Sequence, residues 1–271
     1  VGGTLSYNNQ SERLSDVNDA VSRQIVEDFP FLPVKYEDGT YANNRDFPFA
    51  EGTFSSVHRL YGRQFILNTQ TTLGSFYANI KLAEGLEFRS VAGVNIQTQE
   101  NNQSQTRTLA IANRGEASVS NRKETFWSLE NYLTYNKSIN KIHNINALLG
   151  VSWQQTDIFG ISGNSRTFAT DYFGFNNLGA AGVIGGVGSD GAQFSFNSYF
   201  GRVNYSLKNK YLVTVTGRSD GSSKFGENEK FAFFPSGALA WRVSEEDFLK
   251  GNSVISNLKL RTSYGLTGNS E

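Results

Sequence analysis

The stretch FGRVNYSLKNKYLVTVTGRSD, residues 200–220, decides the fold of this chain. Apolar residues occupy every second position on both sides of the short segment LKNK, at Val203, Tyr205, Leu207, Tyr211, Val213 and Val215. Polar residues fill the positions between them, at Arg202, Asn204, Ser206, Thr214 and Thr216. A period of two is typical of a strand with one apolar and one wet face. The stretch therefore predicts an antiparallel hairpin.

The same alternation recurs along most of the chain. It is present in GGTLSYN (2–8), LGSFYANIKL (73–82), LEFRSVAGVNIQ (86–97), WSLENYLTYNKS (127–138), NINALLGVSWQQ (144–155), FFPSGALAWRVS (233–244) and LKLRTSYGLTG (258–268). Together with the hairpin these segments make about nine strands, and no segment has a convincing amphipathic helical period. The sequence predicts an all-β protein.

The composition excludes several classes of protein. The 271 residues carry 25 Lys and Arg against 25 Asp and Glu, so no basic surface for nucleic acid is expected. The absence of Cys removes disulfides, Cys-ligated zinc and thiol catalysis. The absence of Met indicates that Val1 is not a natural start, so a processed chain or a fragment is expected.

The connections between strands predict how the sheet is arranged. Long segments at about 10–62, 99–121 and 157–192 alternate with short ones at 82–86, 137–143 and 207–210, followed by a medium loop at 218–230 and a compact connection at 245–256. An up-and-down meander with one elaborate rim and one plain rim is typical of outer-membrane barrels. Mean hydropathy of -0.40 is compatible with such a barrel, because its lipid-facing residues alternate with polar ones. A soluble antiparallel sandwich is the alternative, although runs of ten or more residues are long for its strands.

Several groups of residues resemble phosphate-binding, metal-binding or catalytic motifs. Gly221 and Gly226 have the spacing of a phosphate loop, but Glu227 and Asn228 follow instead of Lys and Ser or Thr, and a strand follows instead of a helix. Histidines occur only at His58 and His143, both expected to be solvated. Carboxylates and amides in the first long loop are compatible with a cation site or with ordinary turns; they are Asp16, Asn18, Asp19, Glu37 and Asp38. No catalytic, metal or cofactor site is predicted, and an enzyme is not expected.

Two groups of aromatic residues have alternative interpretations. Tyr172, Phe173 and Phe175 lie in a loop, where they could stack on carbohydrate substrate or pack the loop onto its neighbours. A second group near the expected strand ends suits the interfacial girdle of a membrane barrel, and would be core in a soluble protein. This group comprises Trp127, Tyr135, Trp153, Tyr205 and Trp241.

The run RSDGSSKFGENEKFAFFPSGALAWRVSEEDFLK (218–250), followed by ISNLKLRTSYGLTGN (255–269), resembles barrel sequence of SusC-like (SusC/RagA) TonB-dependent outer-membrane transporters. The residues that carry the resemblance include Arg218, Asp220, Gly221, Ser222, Ser223, Phe225, Gly226, Pro235, Ser236 and Trp241, to which a structural role is assigned. Weaker similarity extends upstream through LPVKYEDGTY (32–41), YANIKLAEGLEFRSVAGV (77–94) and ENYLTYNKSINKIHNINALLGVSWQ (130–154).

The resemblance implies a 22-stranded transmembrane barrel that imports oligosaccharides or peptides across the outer membrane of a Gram-negative, Bacteroidetes-like bacterium. It further implies an N-terminal plug coupled to the TonB–ExbB–ExbD complex, and a SusD-like surface lipoprotein that caps the barrel. No plug is visible in residues 1–271, so the chain is expected to be an internal part of the barrel domain, in contact with outer-membrane lipid. Passive porin, adhesin barrel and soluble carbohydrate-binding sandwich remain the alternatives.

The wet face of the strands is expected to line the lumen of such a barrel. Its candidate residues are Ser128, Glu130, Thr134, Asn144, Asn146, Arg202, Asn204, Thr214 and Arg218. Arg218 and Asp220 share a strand parity, which predicts an ion pair on that face.

Overall fold

The computed structural model of the chain contains one β-sheet of nine strands in sequence order, each antiparallel to the next. It describes residues 1–14, 25–47, 54–109, 114–226, 230–251 and 254–268. The strands are β1 (Gly2–Arg13), β2 (Arg63–Ala83), β3 (Leu86–Gln105), β4 (Glu116–Ile139), β5 (His143–Phe168), β6 (Ala181–Leu207), β7 (Tyr211–Ser222), β8 (Phe231–Arg242) and β9 (Lys259–Gly265). The predicted all-β meander of about nine strands is confirmed, and the sheet is not closed.

Short helical elements lie only in connections. A seven-residue helix, α1 (Ser56–Gly62), precedes β2. Single 3-10 turns occur at Asn44–Asp46, Gly174–Asn176, Leu178–Ala180 and Val243–Glu245. Among the described helices, none has the length and apolar character needed to cross a membrane.

The strand register sorts the side chains into two faces, as the alternation predicts. Asn146 of β5 pairs with Asn136 of β4 and with Asn204 of β6, and Asn204 pairs with Thr214 of β7. Hydrogen bonds join these four side chains into a ladder, with lengths of 2.6, 3.0 and 2.8 Å. All the lumen candidates named above share this side of the sheet, which we call the polar face.

The opposite side, the apolar face, carries a continuous apolar band. In β5 the band runs from Ile145 to Trp153 at every second residue. Leu149 is 65% exposed in the band, and Val215 of β7 is 59% exposed. The buried hydrophobic residues of the described chain lie outside the band, at Ala42, Phe65, Leu109, Ala117, Phe168 and Val243. A soluble sandwich requires two sheets facing each other, so this single sheet with an exposed apolar band does not fit that alternative.

Tight turns form one rim of the sheet. Asn140 and Lys141 both have positive φ, as do Lys208 and Asn209, which is the geometry of hairpin turns that match the strand twist. Gly85, in the turn between β2 and β3, has φ of 77°, and a Cβ there would lie 2.1 Å from the carbonyl oxygen of Asn136. Only glycine fits that position.

The other rim differs from the sequence prediction. The long segments at 99–121 and 157–192 were expected to be connections, but the ladders continue to Gln105 opposite Glu116 and to Phe168 opposite Ala181. The 99–121 extension is polar on both faces, and the 157–192 extension mixes polar residues with glycines and exposed apolar residues such as Phe159 and Ile184. The regular period-two signal of hydrophobicity is therefore lost, while the backbone hydrogen bonds continue. The segment 14–62 is a long connection, as predicted.

The position of two tryptophans also needs correction. Trp127 and Trp153 lie in the middle of β4 and β5, and not near the strand ends, because these strands continue for more than ten residues past them. They mark the end of the continuous alternation, since Gln155 and Asp157 interrupt the apolar face of β5 before Phe159 and Ile161 resume it. Tyr135, Tyr205 and Trp241 lie near the rim of tight turns, as expected.

Candidate functional site

A polar pocket lies where the polar face meets the elaborate rim. Its cavity of about 290 Å³ is lined by charged and amide side chains of β2 to β5. Arg63, Gln105, Glu116 and Arg166 form one register row across these strands. Two guanidinium groups, one carboxylate and several amides offer both donors and acceptors to a polar ligand. We call this the rim pocket.

Sequence reasoning missed the rim pocket. Glu116 and Arg166 fall in segments predicted as connections, and each is a single charged residue without a motif around it. They meet only because the register of β3 to β5 places them in one row. No local signal in the sequence specifies that register so far beyond the apolar band.

The loop between β5 and β6 positions the predicted aromatic residues. Asp171 accepts a hydrogen bond from the backbone N–H of Arg107 at 2.8 Å, and its carboxylate lies 3.5 Å from Nε of Arg107. Tyr172 is 87% exposed, and its ring meets that of Phe173 edge-on with centroids 5.4 Å apart. Both line a second cavity of about 150 Å³. Phe175 is not among the residues lining that cavity, so the structure brings together two of the three predicted residues.

This loop lies on the side of the apolar face, above the band. A Cβ at Gly174 would be 3.3 Å from Oγ of Ser104 and 3.7 Å from Oε1 of Gln64. Both side chains have the parity of the apolar face in their strands. Tyr172 and Phe173 therefore lie over the strand ends, beside the rim pocket, and their cavity shares Ser104, Gln105 and Glu116 with that pocket.

His58 is buried, which contradicts the expectation that it is solvated. It is 3% exposed, with Nδ1 2.8 Å from Oδ1 of Asn43 and Nε2 3.0 Å from Oγ1 of Thr108. Its ring also stacks on Tyr41 at 4.9 Å. Burial, followed by the nearby charge of Arg45, lowers the pKa of His58. The histidine thus joins the β1–β2 connection to the β3–β4 connection. His143 is partly buried, with Nδ1 2.7 Å from the hydroxyl of Tyr205.

The predicted ion pair between Arg218 and Asp220 is confirmed. Nε of Arg218 lies 2.7 Å from Oδ1 and 2.8 Å from Oδ2 of Asp220. An Nη atom of Arg218 donates to Oγ of Ser198, which is 1% exposed, at 2.9 Å. The guanidinium also lies 5.4 Å from the ring of Phe200. All four side chains are on the polar face.

The remaining residues of the resemblance contact other parts of the same sheet. A Cβ at Gly221 would lie 2.5 Å from the ring of Phe231, so the aromatic ring requires glycine. The N–H of Ser222 donates to the carbonyl of Lys230, and that of Ser223 to the carbonyl of Ser195. The others lie in the loop after β7 or in β8, and are Phe225, Gly226, Pro235, Ser236 and Trp241.

Trp241 belongs to a cluster at the rim of tight turns. The carboxylate of Glu246 accepts hydrogen bonds from the Tyr211 hydroxyl at 2.7 Å, from Nε1 of Trp241 at 3.0 Å and from Nζ of Lys210 at 3.0 Å. These hydrogen bonds, that of Tyr211 foremost, lower the pKa of Glu246 to about 2. The cluster fastens the β6–β7 turn to the segment that follows β8.

Turn chemistry accounts for part of the carboxylate cluster. Oδ1 of Asp38 accepts hydrogen bonds from the backbone N–H and the hydroxyl of Thr40, at 2.9 and 2.6 Å. Asp16, Asn18 and Asp19 lie outside the described residues. Among the residues that the structure does describe, no group of three or more His, Asp or Glu side chains is arranged to hold a metal ion.

The chain is similar to known proteins in both its sequence and its fold. Residues 7–269 match the family model described as TonB dependent receptor-like, beta-barrel. TonB-dependent receptor P3 of Formosa agariphila is 39% identical over 247 residues, which is 89% of this chain and 24% of that protein. TonB-dependent receptor SusC of Bacteroides thetaiotaomicron is 56% identical over 71 residues, which is 26% of this chain and 7% of that protein.

The fold is similar to solved barrels. The structure of the RagAB peptide transporter superposes with a TM-score of 0.77 at 24% identity, covering 86% of this chain and 26% of that chain. At that identity the likeness shows the fold alone. The chain spans 24% and 27% of the length of two Formosa relatives, P3 and P26. The sequence and the sheet together place this chain in the TonB-dependent receptor β-barrel family, as a SusC-like stretch of barrel wall.

Proposed function

We propose that this chain forms part of the wall and outer rim of an outer-membrane transporter that imports oligosaccharides or peptides with energy from the TonB complex. Members of the TonB-dependent receptor family are transporters. The observation that carries the proposal is the apolar band: the nine residues from Ile145 to Trp153 present alternate apolar side chains to one side. A tilted strand needs roughly 9–11 residues to cross a bilayer.

Lipid is the environment that such a band requires. Ile80 of β2 is 50% exposed, and Leu239 of β8 and Leu260 of β9 are each 56% exposed. Contiguous apolar surface of this extent is rare on a soluble monomer and is normal on the outside of a membrane barrel. The polar face, with its amide ladder, then lines the channel, and the rim pocket lies at the outer mouth.

The proposed function implies two kinds of partner for the transporter. The elaborate rim, on which Tyr172 is exposed and Phe173 is partly buried, is the side on which a SusD-like lipoprotein would cap the barrel. Coupling to TonB–ExbB–ExbD requires a plug, which belongs to another part of the transporter. The Arg218–Asp220 segment and the turns around Ser222 and Ser223 support the wall, because their contacts run to neighbouring strands.

Uptake by the full transporter in its own host, with pools of labelled oligosaccharides and peptides, tests this function. We expect import that stops when a protonophore collapses the proton gradient. Import that continues unchanged would favour a passive porin and contradict TonB-dependent transport.

Variants of the rim pocket connect the pocket with the imported substrate. Glu116→Gln and Arg166→Gln should lower uptake without changing the heat-modifiable migration of the barrel in detergent gels. Lys123→Gln is the matched control, because Lys123 lies on β4 with the opposite parity. An equal loss in the control would show that the pocket has no special role.

A further inference from the structure

Strand β6 has an open edge near its outer end. Val187–Phe194 pairs with β5, whereas the pairing with β7 begins only at Phe196 opposite Ser222. Every residue from Val187 to Phe194 is exposed. In the described part of the chain, no other segment bonds to the β7 side of these residues. An edge of this kind is a template for an additional strand.

The backbone groups that face the open side can be identified. The carbonyl of Ser195 accepts the N–H of Ser223 at 2.9 Å, and the N–H of Ser195 donates to Oγ of Ser223 at 2.9 Å. Ser195 therefore directs both groups toward β7. Because the direction alternates along an antiparallel strand, Gly191, Gln193 and Ser189 present their N–H and C=O groups to the same open side.

Glycines on this edge are not required by packing within the sheet. A Cβ at Gly188 would meet nothing closer than 3.7 Å, and one at Gly191 nothing closer than 3.5 Å, both ordinary contact distances. Neither residue has a positive φ. A glycine within a strand often marks a place where a ligand or another backbone approaches closely.

Opposite charges flank residues 190–194, the half of the edge nearer to the pairing with β7. The side chain of Asp190 is 73% exposed and lies 3.5 Å from a guanidinium nitrogen of Arg122. Nζ of Lys224 lies 5.0 Å from the centre of the Phe194 ring. Asp190 and Phe194 have the same parity, so both charges are on the polar face, about 13 Å apart along the strand. A free peptide of about four residues carries an amine and a carboxylate at that spacing, and an internal protein segment does not.

We propose that the edge Val187–Phe194 binds a free oligopeptide as an added strand, parallel to β6, with its amine toward Asp190 and its carboxylate toward Lys224. The site rests on the proposed import function and names peptides as a substrate class. Main-chain hydrogen bonds would supply the affinity, so binding would tolerate many peptide sequences.

Binding of tetra-alanine to the purified full transporter in detergent, measured by calorimetry, tests the proposal. Gly191→Pro removes one outward N–H and should raise the Kd roughly three- to tenfold. Gly191→Ala keeps the N–H and should leave the Kd within about twofold. Tetra-alanine methylated on alternate backbone nitrogens, and tetra-alanine with both termini blocked, should bind wild-type transporter more weakly; neither measurement depends on a variant that folds.

Several results would overturn the proposal. One is equal affinity for the methylated and unmethylated peptides. Another is the absence of tetra-alanine binding by a transporter that still imports an oligosaccharide, which would leave the proposed function intact. Energy-independent uptake together with retained tetra-alanine binding would instead contradict the proposed function and leave the site standing. The Gly191 amide could instead be protected from hydrogen exchange only when a co-purified lipoprotein or a second copy of the transporter is present. That result would assign the edge to a protein strand.

Discussion

Replacing Asp220 with Asn distinguishes a structural from a substrate-binding role for the segment that carries the family resemblance. The substitution keeps the shape of the side chain and removes its charge, while Arg218 keeps its contacts with Ser198 and Phe200. Arg218 is 44% and Asp220 18% exposed in their side chains, so solvent screens the pair in part. Exposed ion pairs contribute roughly 0.2–1 kcal/mol and hydrogen bonds to charged groups about 1.5–3 kcal/mol. We expect a loss of about 1 kcal/mol, between these ranges.

The assay compares barrel assembly with substrate affinity in the full transporter. A loss of about 1 kcal/mol should lower the temperature of heat-modifiable conversion by roughly 2 °C or less in a barrel of this size. The amount of transporter assembled in the outer membrane should fall, while the Kd for imported substrate stays unchanged. Ser219→Ala is the matched control, because Ser219 is the next residue and points to the other face. The double variant with Arg218→Gln measures the coupling between the two side chains. A variant that assembles and melts like wild type but binds substrate tenfold more weakly would refute the structural role.

Three further predictions follow from the structure. Gly85→Ala should destabilise the barrel by roughly 1–3 kcal/mol, because φ is 77° and the new Cβ would lie 2.1 Å from the Asn136 carbonyl oxygen. The melting temperature checks this, with Ala83→Gly, at the end of β2 beside the same turn, as a control. The lowered pKa of His58 means that the unfolded connection binds a proton more readily than the folded one. The stability that His58 contributes above about pH 6.5 should therefore be lost as the pH falls through the lowered pKa. Hydrogen exchange of α1 should accelerate in that pH window, and His58→Gln should abolish the pH dependence. Residues 1–271 expressed alone should aggregate in plain buffer, because β1 and β9 leave unpaired edges and the apolar band is exposed; a monomeric product that melts cooperatively would contradict the membrane-barrel interpretation.

The sequence predicted the sheet well wherever lipid imposes a pattern. Between the tight turns and residues such as Trp127 and Trp153, alternate positions must be apolar, so the strands can be found by period alone. Past Trp153 the same strand continues through Gln155 and Asp157 to Phe168, with polar and apolar residues mixed on both faces. There the backbone pairing continues, with one register shift between Gly163 and Ser165, but no regular alternation of apolar and polar side chains indicates it.

The site was harder to predict, because it depends on register and on contacts between distant segments. His58 has no distinguishing neighbours in sequence, and its burial results from Asn43 and Thr108, which are 15 and 50 residues away. Glu116 and Arg166 likewise meet only through the pairing of β4 with β5. The pair Arg218 and Asp220 could be predicted because its two members lie on one strand with the same parity.

In the proposed transporter, the length of the strands beyond the band would place the candidate sites far from the membrane. From Trp153, where the continuous band ends, to Arg166 the chain rises about 43 Å along β5, or about 30 Å along the axis of a barrel whose strands tilt by 45°. In the proposed transporter the rim pocket would thus face the outer mouth of the barrel, close to where a capping lipoprotein would bind. The open edge of β6 lies below it, since Val187–Phe194 pairs with Gly163–Thr156 of β5. Arg218 and Asp220 lie lower still, opposite Phe200 and Ser198 of β6. A ligand moving inward along the polar face would thus pass from charged side chains, to backbone hydrogen-bonding groups, to the ion pair that supports the wall, which is an order expected of capture followed by passage.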